Sequence, residues 1–263
     1  MDPPPLPYVR CPKCQHAPLP LDQSLPAVCP ACGLVLAKFG AVPVPRPIAA
    51  DTVDEPSPVR HWREQLFAAI VRVPAKVDPV SFWVRVALLV AFSVWGLRLI
   101  AMDFRTGELG SSFLHGPLLV FHEAGHIIFM ILGEFMTIAG GTLGQLIMPS
   151  ILCGALLLKN RDTFGAAIGL WLVGVSLLDI APYAYDALHP QLTLLGGHTG
   201  ETGGHDWIFM LDKLGLLKRA QGIGWLFHKL GATVVLLSLY WAGWVLWQQR
   251  RNRSDGTVLD EDG

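Results

Sequence analysis

Five long apolar runs mark the chain, at residues 82–102, 117–139, 143–158, 164–183 and 224–247. Most approach or reach the ~20 residues that a helix needs to cross a hydrocarbon core. The third run is shorter. It begins in Gly140-Gly141-Thr142-Leu143-Gly144 and carries Pro149, which predicts a thin spanning helix or a re-entrant segment buried against its neighbours. Before the first run, Trp62, Leu66, Phe67, Ile70 and Val71 recur at helical spacing among Arg60, Arg63 and Arg72. That pattern predicts an amphipathic juxtamembrane helix within 61–78, lying on a membrane surface or packed as an ordinary helix. Residues 41–60 are rich in proline and read as an extended linker. The expected architecture is thus an α-helical polytopic membrane protein of four or five spans, one of them re-entrant in the alternative reading. Its membrane domain covers 79–249 and a polar tail covers 250–263.

Composition supports that class. Apolar residues make up 52% of the chain and charged ones 16%, and nine Trp and twelve Phe include several near the ends of apolar runs, where interfacial anchors sit. A formal net charge of −1 gives no reason to expect nucleic acid as a partner. The opening MDPPPLPYVR lacks the basic and apolar regions of a secretory signal, so the amino terminus is expected in the cytosol. Basic residues gather before the first run (Arg60, Arg63, Arg72, Lys76, Arg85), at Lys159 and Arg161, and at Arg250, Arg251 and Arg253. The positive-inside tendency puts all three groups in the cytosol. This requires one net crossing between Gly110 and Lys159, hence one full helix plus a re-entrant hairpin. The expected location is the cytoplasmic (inner) membrane, with the lipid bilayer as a partner.

Two clusters of candidate metal ligands stand out. Cys11-Pro-Lys-Cys14 and Cys29-Pro-Ala-Cys32 are CxxC knuckles separated by 14 residues. Two such turns facing each other complete a tetrahedral four-cysteine site, so residues 1–40 read as a zinc ribbon with one structural Zn2+. All four positions would be filled by protein, and the metal would staple a segment too small to build its own core. The second cluster is His122-Glu123-Ala124-Gly125-His126, inside the second apolar run. On a helix, residues four apart sit one turn above each other, so both imidazoles can face one catalytic-type Zn2+. Glu123 beside them can act as general base on a water that the metal activates. Ionisable groups are costly at membrane depth unless paired or coordinated, which makes the cluster a functional candidate.

Two histidines leave a catalytic zinc one protein ligand short. The candidates are Asp179, near the end of an apolar run, and His205 or Asp206 in the glycine-flanked GGHDW, with Asp186, His189, His198, Glu134 and His228 more remote. If one net crossing separates 117 from 158, these groups share the non-cytosolic side with the HEAGH end of its helix. A candidate that is not a ligand can still hold a ligand imidazole through its other nitrogen.

Phe-His-Glu-Ala-Gly-His at 121–126 inside an apolar span, followed by further spans carrying an aspartate, resembles the site-2 protease family of intramembrane zinc metalloproteases. The resemblance implies His122 and His126 as zinc ligands, Glu123 as base, and hydrolysis of peptide bonds in a membrane-protein substrate. The family's third ligand lies in an NxxPxxxLDG motif. Here Leu178-Asp179 lacks both the glycine and the preceding Asn-x-x-Pro, and Asp206 is followed by Trp207. The likeness covers about ten residues closely and the apolar region loosely, and does not extend to the ribbon, for which a cytosolic protein partner is expected. The alternative is a non-catalytic membrane protein that senses or holds zinc, or a scaffold acting through the ribbon.

Overall fold

The computed structural model describes residues 9–17, 19, 28–36, 58–74 and 77–259. It divides the chain into two units, Met1–Arg60 and His61–Gly263. Residues 41–57 of the expected linker lie outside the described residues.

In the first unit the two CxxC turns repeat one local geometry. The Gln15 amide donates to the Cys11 carbonyl at 2.9 Å, as the Gly33 amide does to Cys29 at 2.9 Å, and a second bond closes each turn (Cys11 N–H to His16 O, Cys29 N–H to Leu34 O). The closing residue has φ +60° at Gln15 and +69° at Gly33. An isolated bridge pairs Val28 with Val35, and the small core is Cys11, Leu19, Cys29 and Leu36.

The described residues of the second unit are mostly helical: α1 Pro58–Ile70, α2 Pro79–Ala101, α3 His115–Phe129, α4 Glu134–Gly154, α5 Thr163–Asp186, α6 Asp206–Lys213 and α7 Ala220–Leu259. Five stretches are long and apolar enough to cross a membrane: Pro79–Ala101, His115–Leu132, Glu134–Lys159, Thr163–Asp186 and Leu217–Asn252. That makes it a multi-pass membrane protein by length and composition. The expected amphipathic helix begins earlier than residue 61 because Pro58 suits a first helical turn, where its missing N–H costs nothing. The tail from 250 continues α7 as helix to Leu259, and residues 260–263 lie outside the described residues.

α5 is the axis of the bundle: 61% of its most apolar window is buried, against 11% for α2. Its small residues admit close neighbours, and Gly174 and Gly231 bring the backbones of α5 and α7 together. At one end of the bundle Phe82 of α2, Phe164 of α5 and Val245 of α7 share a core cluster. There Thr163 Oγ1 donates to the Arg72 carbonyl and Trp241 Nε1 to that of Ile70. At the other end the Phe104 ring, just after α2, packs on Tyr185, Trp225 and His228. α2 and α5 therefore run in the same direction, and α7 runs against them.

α4 corrects the expectation of a short third run. It starts at Glu134, one residue after the 3-10 turn Met130–Leu132 that ends the α3 segment, and passes through Pro149 into a π-helical turn, Ala155–Lys159. The glycines read as a break are instead the contact face for α3. Gly125 lies against the Gly140 backbone and Gly144 against the Phe121 carbonyl, spacings at which any Cβ would collide. In a bilayer no water competes for helix backbone, so small residues favour helix contact rather than interruption. The same contacts make α3 antiparallel to α4. Cys153 against Gly169, and Gln145 against Asp179, make α4 antiparallel to α5.

Candidate metal centres

The cysteine cluster is the simpler of the two. Cys11 Sγ lies 3.7 Å from Cys32 Sγ, and Cys14 Sγ 3.8 Å from Cys29 Sγ. A disulfide would hold the sulfurs about 2.05 Å apart. Sulfurs at the vertices of a zinc tetrahedron with bonds of about 2.3 Å sit about 3.8 Å apart, so the four thiols could hold a metal ion. Their acidities are driven apart. Burial pushes the Cys11 thiol up, but the Cys14 and Lys13 amides and the Cys29 and Cys14 sulfurs outweigh it and hold the group at about 6. At Cys32 the Leu34 amide pulls down, while burial and the three neighbouring sulfurs push it up to about 12. Four thiols in one site share negative charge poorly unless a cation balances it.

The second cluster is assembled across the helical unit. α3 presents His122 and His126 on one face, and Gly141 of α4 leaves room for both. A Cβ on Gly141 would lie 2.5 Å from His122 Nε2 and 2.6 Å from His126 Nε2, so the two nitrogens converge on one point. Asp206, the first residue of α6, completes the group. Its Oδ2 is 2.9 Å from His122 Nε2 and 3.3 Å from His126 Nε2. Ligand atoms around a tetrahedral zinc at about 2.0–2.1 Å are about 3.3 Å apart, within a few tenths of an ångström of both edges.

The outer nitrogens fix the proton positions. His126 Nδ1 donates to the Thr137 carbonyl at 2.8 Å. His122 Nδ1 faces Gln145 Oε1 at 3.3 Å, and the orientation of that amide is set because Gln145 Nε2 donates to Asp179 Oδ2 at 2.7 Å. With both Nδ1 hydrogens directed at carbonyl oxygens, both Nε2 atoms face one carboxylate oxygen, to which His122 Nε2 is hydrogen-bonded at 2.9 Å. Such a group is held together either by a proton on Nε2 or by a cation shared between the imidazoles and the carboxylate.

Among the candidates for third ligand, Asp206 is the one brought to the histidine pair. Asp179 stands one step back, accepting from Gln145 and bonded to His115 Nδ1 at 2.9 Å. His205 is turned away: its Nδ1 accepts the Ile208 amide at the start of α6, and its Nε2 faces Asp186 at 3.4 Å without hydrogen-bond geometry. Tyr183 ties the pieces together, its hydroxyl accepting the Asp206 amide at 3.0 Å and its ring lying 4.2 Å from that of His205. Glu134 begins α4, His189 follows α5, and His228 stacks on Phe104, so none of these joins the pair.

Glu123 opens onto the same site. One ligand atom from each of His122, Glu123 and His126 lies within 4.8 Å of the others, a group able to hold a metal ion. All three line a cavity of about 610 Å³, with His115, Tyr183 and Asp206 on its walls and Leu194, Gly196 and His198 over it. Gln145, Tyr183, Thr137 and Gly141 were not singled out from the sequence as parts of the site. A glutamine inside an apolar run is the one signal that pointed to any of them, since a polar group at membrane depth needs a partner.

Comparison with known proteins returns no matching family model, no matching curated relative and no matching solved structure.

Proposed function

We propose that the protein is a zinc metallopeptidase of the cytoplasmic membrane that hydrolyses peptide bonds in a membrane-protein substrate. The observation that carries this reading is the convergence of both Nε2 atoms and the Asp206 carboxylate on one point, with Glu123 beside them in an open cavity. His122, His126 and Asp206 would hold the zinc, which supplies Lewis acidity for a scissile carbonyl and lowers the pKa of water. The chain's own groups do the rest. Gln145 and the Thr137 carbonyl keep both imidazoles in the tautomer that ligation needs. Tyr183 and His205 fix Asp206 at the head of α6. Glu123 takes the proton of the attacking water and delivers it to the leaving nitrogen. In the same reading the four cysteines hold a structural zinc and present a cytosolic surface to a protein partner.

A site that only stores or senses zinc would close its coordination with a further protein ligand, and Glu123 is the group near enough to do so. The substitution Glu123→Gln separates the roles. As base, Glu123 is replaced with full retention of zinc and a loss of cleavage of at least about 10²–10⁴-fold, read on purified protein in lipid. As ligand, its replacement lowers zinc content and leaves no hydrolysis to lose.

A further inference from the structure

We infer that the site works from the membrane surface opposite the basic end of the bundle, on a peptide segment near that surface, and not on a bond at mid-bilayer. The peptide part of this statement rests on the proposed hydrolysis; the placement rests on geometry and on the distribution of basic residues.

The first observation is where α3 begins. His115, its first residue, bonds Asp179, which also bonds Gln145, so the start of α3 is level with the middle of α4. From Gln145 the α4 segment continues to Lys159, about 20 Å further at helical rise. α3 is thus long and apolar enough to span, yet it stops well short of that end. The chain from Phe104 to Leu114 turns back into the bundle, with Phe113 reaching Trp95 of α2, and α3 climbs out again to Gly133. This leaves four full crossings, by α2, α4, α5 and α7, and the chain enters α2 and leaves α7 at one end, where Asn252 bonds the Pro74 carbonyl. The re-entrant element foreseen from charge placement is therefore the loop with α3, while α4 makes the full crossing.

Charge agrees with that count. Arg72, Arg85, Lys159, Arg161, Arg250 and Arg251 all belong to the end where α2 starts. At the opposite end stand Arg98, Arg105, Lys213, Lys218, Arg219 and Lys229, fewer than the ten Lys and Arg that the sequence places around the start of α2, the turn from α4 to α5 and the end of α7. The basic end faces the cytosol by the positive-inside tendency.

The histidine cluster lies in the half of the bundle toward the opposite end, its two Nε2 atoms converging at Gly141, about 10 Å along α4 from Glu134. His126 bonds Thr137, less than one turn from the first residue of α4. The roof of the cavity is irregular backbone: Thr193 bridges Thr199, and Gly197, Gly203 and Gly204 have φ of +76°, +108° and +76°. Lipid-exposed irregular backbone is excluded from hydrocarbon, because its N–H and C=O groups have no water to bond. This roof, with Leu195 70% exposed at its tip, lies in water or among headgroups, and the cavity beneath it is reached from there. A segment entering in extended form at that level need not be drawn from the bilayer centre.

Two measurements test this on the full chain. Leu195→Cys and Arg251→Cys proteins are treated with a membrane-impermeant maleimide in intact spheroplasts and after permeabilisation, and labelled peptides are located by mass spectrometry. Label at Leu195→Cys before permeabilisation, and at Arg251→Cys only after it, is the expected result. Label at both from one side, or the reverse order, overturns the placement whether or not the protein hydrolyses peptides. Single-span reporters carrying a randomised unstructured segment are then compared, with the segment at the non-cytosolic membrane edge or at mid-span. Cleavage at the edge is expected to be about tenfold faster or more; equal or faster cleavage at mid-span overturns the surface site. Cleavage at neither position overturns the proposed hydrolysis, while the labelling still decides the placement.

Discussion

In the cysteine cluster the candidate ligands are part of the core: of the four buried residues that pack together there, two are Cys11 and Cys29, and among the described residues Leu19, Leu36 and half-buried Leu34 are the hydrocarbon behind them. In the histidine cluster the ligands come from α3 and α6, with His122 and Asp206 separated by 84 positions, and helices that bury their own apolar cores bring them together. In the proposed reading one centre is made by local turns that a cation closes, and the other by a fold that exists around it, so that metal organises the first and the fold organises the second.

Metal removal is the most severe test of that ordering. Structural zinc sites of this size draw about 10–16 kcal/mol from ligation, which is their folding energy. A chelator applied to the full chain is expected to abolish hydrogen-exchange protection at residues 11–17 and 28–36 and leave it in α5 unchanged. Protection that persists around Cys11 and Cys29 without metal, or is lost along α5, would break the contrast. The next effect is smaller and confined to the helical unit. Gly141→Ala puts a methyl where both Nε2 atoms converge, so zinc should fall from about two per chain to about one, with a loss of thermal stability of at most about 1–3 kcal/mol as the imidazoles shift, offset in part by alanine's helix preference of about 1 kcal/mol. Zinc still at two per chain would mean that the imidazoles bind elsewhere.

These contrasts also account for what could be read in advance. The CxxC turns were legible because each is local, and four residues suffice to place two thiols. The apolar runs were legible because bilayer helices must satisfy their own backbone. α4 was not, because glycines that break helices in water serve as contact surface between helices in lipid, and Gly140, Gly141 and Gly144 read alike in both settings. The choice between Asp179, His205 and Asp206 depended on packing between distant elements, which spacing does not encode. His205 and Asp206 are neighbours in sequence, yet the N-terminal turn of α6 sends one back to Asp186 and the other to the histidines.

Ranking the residues around His122 sharpens the comparison on a finer scale. Asp206→Ala removes a ligand, whereas Gln145→Leu removes the group that orients one, a change that typically costs about 10–100-fold in affinity. Chelator-competition titrations should order the losses as Asp206→Ala, then Gln145→Leu, then Asp179→Asn. If Asp179→Asn exceeds Asp206→Ala, the ligand has been assigned to the wrong carboxylate.

The smallest effect belongs to the ribbon, where the repeat of one turn supplies its own control. Gln15 and Gly33 close equivalent knuckles at φ +60° and +69°, and a Cβ at Gly33 would meet nothing within 4 Å. Space is therefore not the constraint; left-handed backbone is, and it costs a non-glycine residue about 1–2 kcal/mol. Part of that is returned because glycine loses more freedom on folding, by about 0.4–1 kcal/mol. Gln15→Gly should raise zinc affinity of the cysteine cluster about twofold, since folding and binding are linked there, and Gly33→Gln should lower it by a similar factor. Opposite signs at two matched positions are what a purely conformational cause requires. If both substitutions weaken binding, the Gln15 side chain holds the turn by a contact of its own, and the two knuckles are alike in backbone but not in what stabilises them.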